Sequence, residues 1–400
     1  MLFHARILSQ GQSSLIAICA AACGGMEIKM QKIVNGVSSY SEIGDIIRGL
    51  GAKKFMLVCG GSLSRLEVGK YLLGLDIEHI VFSDFSPNPK YEDIVPAVEL
   101  YKREGCDVIV AAGGGSAIDV AKCIKLYAPL DPSINFLMQE AKTSDIPLVA
   151  IPTTAGTGSE STRYSVIYYQ GEKQSVHHTS IVPDVAILLP EVLESLPSYQ
   201  KKCTVLDALC QAIESYWAVK SNDESRDLAD RAIRLIWANI EEYLLSPNPA
   251  IEVLGNIMLG SCLAGQAINI TATTAPHAMS YKLTTTYGIP HGHSVGVGLL
   301  YVWKYMLSHG EKCTDSRGYD YLLDIFGKIA SAMGYDSVEK AVDAYEALLN
   351  KIEISGPAPL SDRAQEIEML AGAVNVERLG NNPVALDVEA LAQLYGEILQ

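Results

Sequence analysis

Short apolar runs and helical patterns alternate through the first half of the chain. The apolar runs are bounded by Gly, Pro or Asp, which is typical of buried β-strands. They are Phe55–Cys59, His79–Phe85, Val108–Ala112 and Leu148–Thr153, with Ser165–Tyr169 and Val185–Leu189 as further candidates. Helical patterns such as Tyr91–Arg103 and Ala117–Tyr127 lie between them. This alternation predicts an α/β domain whose parallel sheet is covered by helices on both faces.

The pattern changes at about Pro197. From there to the C-terminus, long helical periodicities dominate and strand signals are few. The clearest helical segments are Ser225–Tyr243, Ala250–Ile268, Tyr319–Met333 and Ser337–Lys351. We therefore predict an α/β domain over residues 31–195 and an all-α domain over residues 196–400, with residues 1–30 as an N-terminal extension.

Composition narrows the class of protein. The chain has 400 residues, of which 48% are hydrophobic and 19% are charged, as in an ordinary globular protein. Its net charge of −15 argues against nucleic acid or an anionic membrane as a partner. Nine cysteines are scattered without a CxxC pair, which is typical of reduced thiols in the cytosol.

Two segments rich in glycine and hydroxyl groups follow predicted strands. In Val108–Asp119 a strand runs into the glycines Gly113–Gly115 and then into a helix. Glycines let the backbone approach a phosphate, and the free amides at a helix start favour negative charge. The second segment, Pro152–Glu160, combines hydroxyl donors with flexible backbone, which suits a ribose or a pyrophosphate. Neither segment fits the GxGxxG or P-loop pattern, so a tight strand-to-helix turn and a hydroxyl-rich loop remain alternative interpretations.

Oxygen and nitrogen donors recur in the second half of the chain. Asp207 and Gln211 are four residues apart in a helical pattern and share one face of the helix. His277 lies near a helix start, and His291 follows 14 residues later after a turn, so the two imidazoles can meet. Such donors hold divalent metals, although a neutral amide is a weaker ligand than imidazole. The alternative is a surface carboxylate, a surface amide and two hydrogen-bonding core histidines.

Together these segments resemble the iron-containing (group III) alcohol dehydrogenase family. The resemblance covers roughly residues 31–400, and its motifs are Gly113-Gly-Gly-Ser-Ala-Ile-Asp119, Thr153-Thr-Ala-Gly-Thr-Gly-Ser-Glu160, Asp207-Ala-Leu, His277-Ala-Met, Pro290-His-Gly292 and Asn381-Asn-Pro383. It implies the dehydroquinate synthase-like fold of that family. In this fold a Rossmann-like nucleotide-binding domain precedes a helical domain, with a metal in the cleft between them. The implied enzyme is a metal- and NAD(P)H-dependent alcohol dehydrogenase or aldehyde reductase.

The resemblance also implies a ligand set for the metal. The family's ligands are an Asp, a His four residues later and two His placed 14 apart. Asp207, His277 and His291 match, but Gln211 stands where the first His is expected, and Tyr281 ends a motif that commonly ends in His. The implied set is therefore these three residues with Gln211, around iron or zinc. Segments near Gln211, Tyr281 and His293 resemble the branch of phosphonoacetaldehyde reductases, also called hydroxyethylphosphonate dehydrogenases.

The resemblance carries over to the cofactor residue by residue. The implied contacts are Gly60, Gly113, Gly114, Gly115, Ser116, Asp119, Thr153, Thr154, Thr157, Ser159 and Lys173. Many NAD-preferring members have an Asp after the first strand that bonds the adenosine ribose. This chain reads Val58-Cys-Gly60-Gly-Ser62 there, and a missing carboxylate removes repulsion toward a 2′-phosphate. NADP therefore stays open beside NAD.

The implied reaction is hydride transfer to a small aldehyde, specifically phosphonoacetaldehyde, which gives 2-hydroxyethylphosphonate. Tyr281 or His293 could pass the proton, and His293 is the better candidate by acidity, because the unperturbed pKa of tyrosine is about 10. The alternative for both is a packing role. Arg163 and Lys282 could contact the phosphonate, since guanidinium and ammonium groups bind oxyanions. Arg163 could instead pair with Glu160.

Two other functions stay open. A broad-range iron-type alcohol dehydrogenase without phosphonate preference would keep the fold and the site. A catalytically impaired cofactor-binding protein, acting as a sensor or scaffold, is the second possibility. Gln211 and Tyr281 are the features that support it, because both depart from the expected metal site.

Residues 1–30 differ from the rest of the chain. Arg6 precedes the weakly apolar run Leu15–Cys23, which could be a secretory signal and is too short to span a bilayer as a helix. We favour an extended reading frame with Met26 or Met30 as the true start, because a nicotinamide-dependent enzyme needs the cytosolic cofactor pool. A cytoplasmic homodimer is expected, since dimers are common in the family.

Overall fold

The computed structural model describes the backbone of residues 14–18, together with residues 31–374 and 379–399. Apart from the strand at 14–18, the expectations about residues 1–30 lie outside the described residues. Contacts divide the chain into two compact units. The first runs up to Thr154 and resumes over Gly158–Ser195, and the second comprises Ala155–Thr157 and the chain from Leu196 onward. From Leu196 onward the chain belongs to the second unit. The sequence predicts a domain boundary at this point.

The first unit is built on a seven-stranded sheet of order β1-β2-β9-β6-β5-β3-β4. Its strands, with the hairpin β7–β8, are β1 Ser14–Ile18, β2 Gln31–Asn35, β3 Lys54–Cys59, β4 Glu78–Phe82, β5 Val108–Gly113, β6 Leu148–Pro152, β7 Tyr164–Tyr169, β8 Glu172–His177 and β9 Val185–Leu188. Its helices are α1 Ser41–Gly49, α2 Glu67–Leu73, α3 Tyr91–Glu104 and α4 Gly115–Tyr127. All strand pairs of the sheet are parallel except β1 with β2. The predicted parallel α/β sheet is confirmed.

Three details differ from the sequence-based expectations. The strand predicted over His79–Phe85 ends at Phe82. The strand predicted at Ser165–Tyr169 forms, but it pairs with β8 in a separate antiparallel hairpin instead of joining the sheet. Within the predicted N-terminal extension, Ser14–Ile18 forms the antiparallel edge strand β1.

The strand order reverses between β3 and β5. From β3 the chain goes to β4 on one side, then returns to β5 on the other side. In open α/β sheets, ligands bind outside the carboxyl ends of the strands at such a switch point. Gly60 follows β3, Gly113 ends β5, and Thr153 follows the neighbouring strand β6. The topology therefore puts the predicted nucleotide loops at the edge where a nucleotide is expected.

A buried ion pair ties helix α4 to this sheet. The side chain of Lys125 is fully buried, and its Nζ lies 2.9 Å from Oδ2 of Asp184. The same carboxylate oxygen accepts the backbone N–H of Leu148 at the start of β6. Because a buried charge is costly unless it is paired, this contact holds α4 in one position over the strands.

The second unit is a bundle of helices. They are α5 Ser198–Trp217, α6 Asp223–Leu245, α7 Ile251–Thr271, α8 Ala275–Tyr287, α9 His291–Ser308, α10 Tyr319–Ala332, α11 Val338–Lys351, α12 Arg363–Gly372 and α13 Val388–Ile398. Trp217, Trp303 and Phe326 form an aromatic cluster inside the bundle, with ring centroids 5.9 to 6.4 Å apart. The predicted helical second half is confirmed, with helix ends within a few residues of those expected.

Helix α7 is long and apolar enough, by length and composition alone, to cross a membrane. However, 67% of its most apolar stretch is buried inside the structure. It packs against α5 and α6, and Leu254, Ile257 and Leu263 are inside the bundle. A core helix of a globular domain has the same properties, so this helix is weak evidence for a membrane span.

Asp184→Ala removes the carboxylate that faces the buried ammonium of Lys125 and the acceptor of the Leu148 N–H. We expect the free energy of unfolding to fall by about 3–5 kcal/mol, measured by urea denaturation. Asp45→Ala is the matched control, because Asp45 pairs with Arg48 at 3.3 Å on the exposed surface. Its effect should stay below about 1 kcal/mol. Equal losses in the two variants would contradict the anchoring role of the buried pair.

Candidate active site

Three potential metal ligands meet in the helical unit. Ligand atoms of Asp207, His277 and His291 all lie within 4.8 Å of one another. Nε2 of His277 lies 3.2 Å from Oδ1 of Asp207, and Nε2 of His291 lies 4.0 Å from the same oxygen. Asp207 and His277 are buried, whereas the side chain of His291 is 36% exposed. The group is therefore buried at Asp207 and His277, and small molecules can reach it at His291.

Close packing of α9 against α5 brings His291 to Asp207. His291 is the first residue of α9. A Cβ at Gly292 would lie 1.9 Å from the carbonyl oxygen of Cys203 and 3.0 Å from Cβ of Asp207. Only a glycine lets the two backbones approach this closely. Gly292 is therefore required for the close approach of α9 to α5, and not for the turn that precedes α9.

A second buried carboxylate on α5 orients the ring of His277. Nδ1 of His277 donates to Oε1 of Glu214. The other oxygen of Glu214 accepts the backbone N–H and the hydroxyl of Thr274, at 2.7 and 2.9 Å. Glu214 is completely buried. Because Nδ1 is occupied by Glu214, Nε2 is the ring atom that faces Asp207, an arrangement typical of metal-ligating histidines.

The tail motif braces the turn that carries Thr274. Nδ2 of Asn381 donates to the carbonyls of Thr271 and Thr273, at 2.9 and 3.0 Å. Between these residues lies Ala272, whose φ of +60° is strained for a residue with a Cβ. The two hydrogen bonds from Asn381 hold this turn in place, so Thr274 reaches Glu214 at the start of α8.

Two carboxylates around one imidazole set the charge of the group. Burial lowers the pKa of His277, but Glu214 and Asp207 outweigh burial and raise the pKa to about 9. Burial also raises the pKa of Asp207, yet the hydrogen bond from His277 and the charge of His291 bring that pKa below its usual value. Without a cation, the imidazole of His277 is therefore protonated on both ring nitrogens at neutral pH and carries a positive charge. Its Nε2 becomes available to a metal only when the proton on that atom leaves.

Gln211 contributes a buried acceptor that needs a partner. Its side chain hydrogen-bonds the Asp207 carboxylate, and its Nε2 donates to the carbonyl of Thr157 at 3.4 Å. Its Oε1 is buried and has no hydrogen-bond partner among the residues that the structure describes. A buried carbonyl without a partner costs about 1–3 kcal/mol, and a cation would remove that cost. The residues present therefore fit a divalent cation held by Asp207, Gln211, His277 and His291.

The two predicted proton donors are placed differently. The ring of Tyr281 stacks on His291, with centroids 5.5 Å apart and planes 5° apart. His293 has other neighbours, because its Nε2 donates to the carbonyl of Ser355 and its Nδ1 accepts from the Tyr199 hydroxyl, both at 2.8 Å. Burial also lowers the pKa of His293. The geometry thus favours Tyr281, although acidity alone favours His293. His293 is two residues after His291 on α9, so its side chain faces a different side of that helix.

Several predicted cofactor residues lie at the carboxyl ends of the central strands. They are Gly60 after β3, Gly113, Gly114 and Gly115 at the junction of β5 and α4, and Thr153 and Thr154 after β6. The N–H of Thr153 donates to the carbonyl of Gly113 at 3.0 Å, which joins two of these loops. Ser116, in the first turn of α4, uses its hydroxyl to bond the carbonyl of Pro87.

Other predicted cofactor residues are already engaged in a buried network. Oγ of Ser159 donates to Asp119 at 2.6 Å, and the N–H of Val166 donates to the same carboxylate at 3.0 Å. Nζ of Lys122 donates to Ser159 at 3.0 Å. Burial raises the pKa of Asp119, although the charges of Lys122 and Lys173 oppose this. Asp119 and Ser159 thus anchor the segment after β6 to α4, and their contact with a cofactor stays a prediction.

The remaining predicted residues belong to different parts of the fold. Thr157 lies in the second unit, where its carbonyl meets Gln211. Arg163 lies in the first unit, where its guanidinium donates to the Tyr164 hydroxyl at 3.2 Å. Lys282 lies on α8 in the second unit, directly after Tyr281. A joint contact of Arg163 and Lys282 with a phosphonate stays a prediction.

Comparison with known proteins decides the family. A model described as iron-containing alcohol dehydrogenase matches residues 30–190, and one described as the C-terminal part of the Fe-containing alcohol dehydrogenase family matches residues 202–399. The 1,3-propanediol dehydrogenase of Klebsiella pneumoniae is 32% identical over 340 residues, which cover 82% of this chain and 85% of that protein. The chain belongs to the iron-containing alcohol dehydrogenase family. The resemblance seen in its motifs is thereby confirmed.

Two further relatives of this alcohol dehydrogenase act on charged aldehydes, as their names state. The phosphonoacetaldehyde reductase of Streptomyces viridochromogenes is 30% identical over 305 residues, which cover 73% of this chain and 76% of that protein. The crystal structure of sulfoacetaldehyde reductase from Bifidobacterium kashiwanohense in complex with NAD+ aligns with a TM-score of 0.83 and 27% identity. That alignment covers 94% of this chain and 99% of the other.

The sequence motifs of this alcohol dehydrogenase do not include the residues that support the candidate ligands. Glu214 follows Asp207 by seven residues and Gln211 by three, so the helical period places all three on one face of α5. That spacing was a usable signal. Thr274 and Lys122 had no such signal, because their partners come from distant segments of the chain.

Glu214→Gln keeps the shape of the side chain but weakens the acceptor that orients His277. We expect the affinity of the metal-free enzyme for Zn²⁺ to fall roughly 10- to 100-fold, measured by competition with a chromogenic chelator. Glu241→Gln is the matched control, because the Glu241 carboxylate forms an exposed pair with Lys351 at 2.7 Å. Unchanged affinity in Glu214→Gln would show that Glu214 does not support the ligand.

Gly113→Ala tests the nucleotide edge. A Cβ at Gly113 would lie 2.7 Å from Cβ of Ala117, so the start of α4 must shift away from the end of β5. We expect NADH to bind about tenfold more weakly, a change of about 1.4 kcal/mol, measured by fluorescence titration. The control is Gly327→Ala on α10, where an added Cβ meets no described atom within 4 Å. An unchanged dissociation constant in Gly113→Ala would argue against this edge.

Proposed function

We propose that this iron-type alcohol dehydrogenase reduces small aldehydes with an anionic head group, and specifically phosphonoacetaldehyde to 2-hydroxyethylphosphonate. The observation that carries the proposal is the donor group of Asp207, His277 and His291, with the buried Gln211 amide one helical turn after Asp207. A cation held at a site of this kind would interact with the oxygen of a carbonyl substrate. The first unit supplies glycine-rich loops at a sheet edge typical of nucleotide binding.

The chemistry divides between the bound groups and the protein. When bound, the cation would polarise the aldehyde oxygen and the reduced nicotinamide would supply the hydride. Glu214 keeps the ring of His277 in one orientation. Tyr281 is our candidate for the group that passes a proton to the substrate oxygen, because its ring lies against His291. His293 stays the second candidate, with both ring nitrogens held by neighbours.

The named relatives support an anionic substrate. Phosphonoacetaldehyde and sulfoacetaldehyde are both two-carbon aldehydes that end in an oxyanion. A protein of net charge −15 needs local cations to accept such a group. Arg163 and Lys282 are our candidates, since guanidinium and ammonium groups form charge-assisted hydrogen bonds with oxyanions.

A broad-range alcohol dehydrogenase is the second candidate function. It is supported by the identity of 32% to 1,3-propanediol dehydrogenase, whose named substrate carries no charge. A catalytically impaired cofactor-binding protein is less well supported, because the unsatisfied oxygen of Gln211 makes the altered site a plausible cation site. NAD is the better-supported cofactor, given the NAD+ complex of the sulfoacetaldehyde reductase. NADP, a cytoplasmic location and a homodimer stay predictions.

A substrate panel tests the proposal. Phosphonoacetaldehyde, sulfoacetaldehyde and propanal are each reduced with NADH and with NADPH, and kcat/KM is measured. We expect phosphonoacetaldehyde to exceed propanal by roughly 10- to 100-fold, since each charge-assisted hydrogen bond contributes about 1.5–3 kcal/mol. Equal rates would favour the broad-range enzyme, and no turnover of any aldehyde by the metal-loaded protein would contradict both.

Variants of the candidate cations sharpen this test. Arg163→Ala and Lys282→Ala should each raise KM for phosphonoacetaldehyde by about tenfold or more and leave propanal unaffected. Lys328→Ala is the control, because Lys328 pairs with Asp324 on the exposed surface of α10. If both candidate variants keep the wild-type KM for phosphonoacetaldehyde, these residues do not bind the phosphonate.

A further inference from the structure

We propose that Gln211 sets the metal preference of the site and shifts it from Zn²⁺ toward the harder cation Mn²⁺. This inference deepens the proposed function and rests on it, because it requires that the site binds a cation. It concerns which cation the four donors select, which neither the family nor its named relatives decide for this chain.

The donor set contains equal numbers of oxygen and nitrogen atoms. Asp207 and Gln211 offer a carboxylate oxygen and an amide oxygen, and His277 and His291 offer ring nitrogens. Imidazole suits Zn²⁺, Cu²⁺, Fe²⁺ and Ni²⁺, whereas carboxylate and carbonyl oxygens suit Mg²⁺, Ca²⁺ and Mn²⁺. An amide oxygen at the fourth position therefore lowers the advantage of Zn²⁺ over Mn²⁺ that a third imidazole would provide.

The structure also accounts for why the oxygen, and not the nitrogen, of Gln211 is free to bind. The amide nitrogen is used by the carbonyl of Thr157, and the Asp207 carboxylate can accept only from that nitrogen. The segment around Thr157 reaches α5 because Gly156 has no side chain. A Cβ at Gly156 would lie 2.8 Å from Cβ and 3.0 Å from the carbonyl oxygen of Thr204. The close approach of this segment thus holds the Gln211 amide in an orientation that leaves its oxygen without a hydrogen-bond partner among the described residues.

Burial makes that oxygen a strong candidate ligand. Gln211 is 4% exposed, so water has little access to its Oε1. The residue lies one helical turn after Asp207 on the same face of α5. The Gln211 amide therefore lies on the helix face that carries the Asp207 carboxylate, where its buried oxygen is available as a fourth donor.

The test measures metal affinity instead of turnover. The dissociation constants of Mn²⁺ and Zn²⁺ are determined for the metal-free full-length protein by chelator competition, in wild type and in Gln211→His. We expect the ratio of Zn²⁺ affinity to Mn²⁺ affinity to rise by about tenfold or more in Gln211→His. The matched control is Gln266→His on α7, a second buried amide, whose nitrogen contacts Cys262. Its ratio should equal that of the wild type.

The outcomes separate this inference from the proposed function. If the wild type binds neither cation, the proposed function fails and this inference fails with it. If the wild type binds cations and Gln211→His leaves the ratio unchanged, only this inference is overturned. Circular dichroism checks the fold of each variant. Should Gln211→His not fold, Gln211→Glu replaces it, with the opposite expectation that the ratio falls because a second carboxylate favours Mn²⁺; an unchanged or raised ratio would overturn the inference.

Discussion

The candidate site depends on one buried line of hydrogen bonds that runs from Glu214 through His277 to Asp207. Burying two carboxylates and an imidazole away from water destabilises the fold unless each of them is paired. Here each carboxylate receives a proton donor, and the imidazole is held on both sides. The line therefore keeps Nε2 of His277 directed at Asp207. Without it, the other ligands would meet a ring free to rotate.

Two close backbone contacts make this arrangement possible. Gly292 lets α9 approach α5, which delivers His291, and Gly156 lets a short segment approach α5, which orients Gln211. Asn381 adds a third support by holding the strained turn at Ala272. All three act on the surroundings of α5, the helix that carries Asp207, Gln211 and Glu214. The site is thus assembled on one rigid helix and completed by segments distant in sequence.

The two units carry separate parts of the chemistry. In the first, the strand order reverses beside Gly60 and Gly113, so an edge suited to a nucleotide follows from topology alone. In the second, the donor group follows from helix packing. The buried network of Asp119, Lys122 and Ser159 joins the segment after β6 to α4. It stabilises the segment after β6 that bears the threonines at the sheet edge.

By itself the sequence determined what local periodicity controls. The alternation of strands and helices, the helical second half, and the shared face of Asp207 and Gln211 all follow from spacing along the chain. Family motifs added the identity of the three candidate ligands. The tertiary structure decided the partners of each side chain: Tyr281 beside His291, His293 turned to Ser355, and Ser159 bonded to Asp119. The physical reason is that a hydrogen bond or a stacked ring depends on a distance of a few ångströms between segments far apart in sequence, and no local pattern encodes that distance.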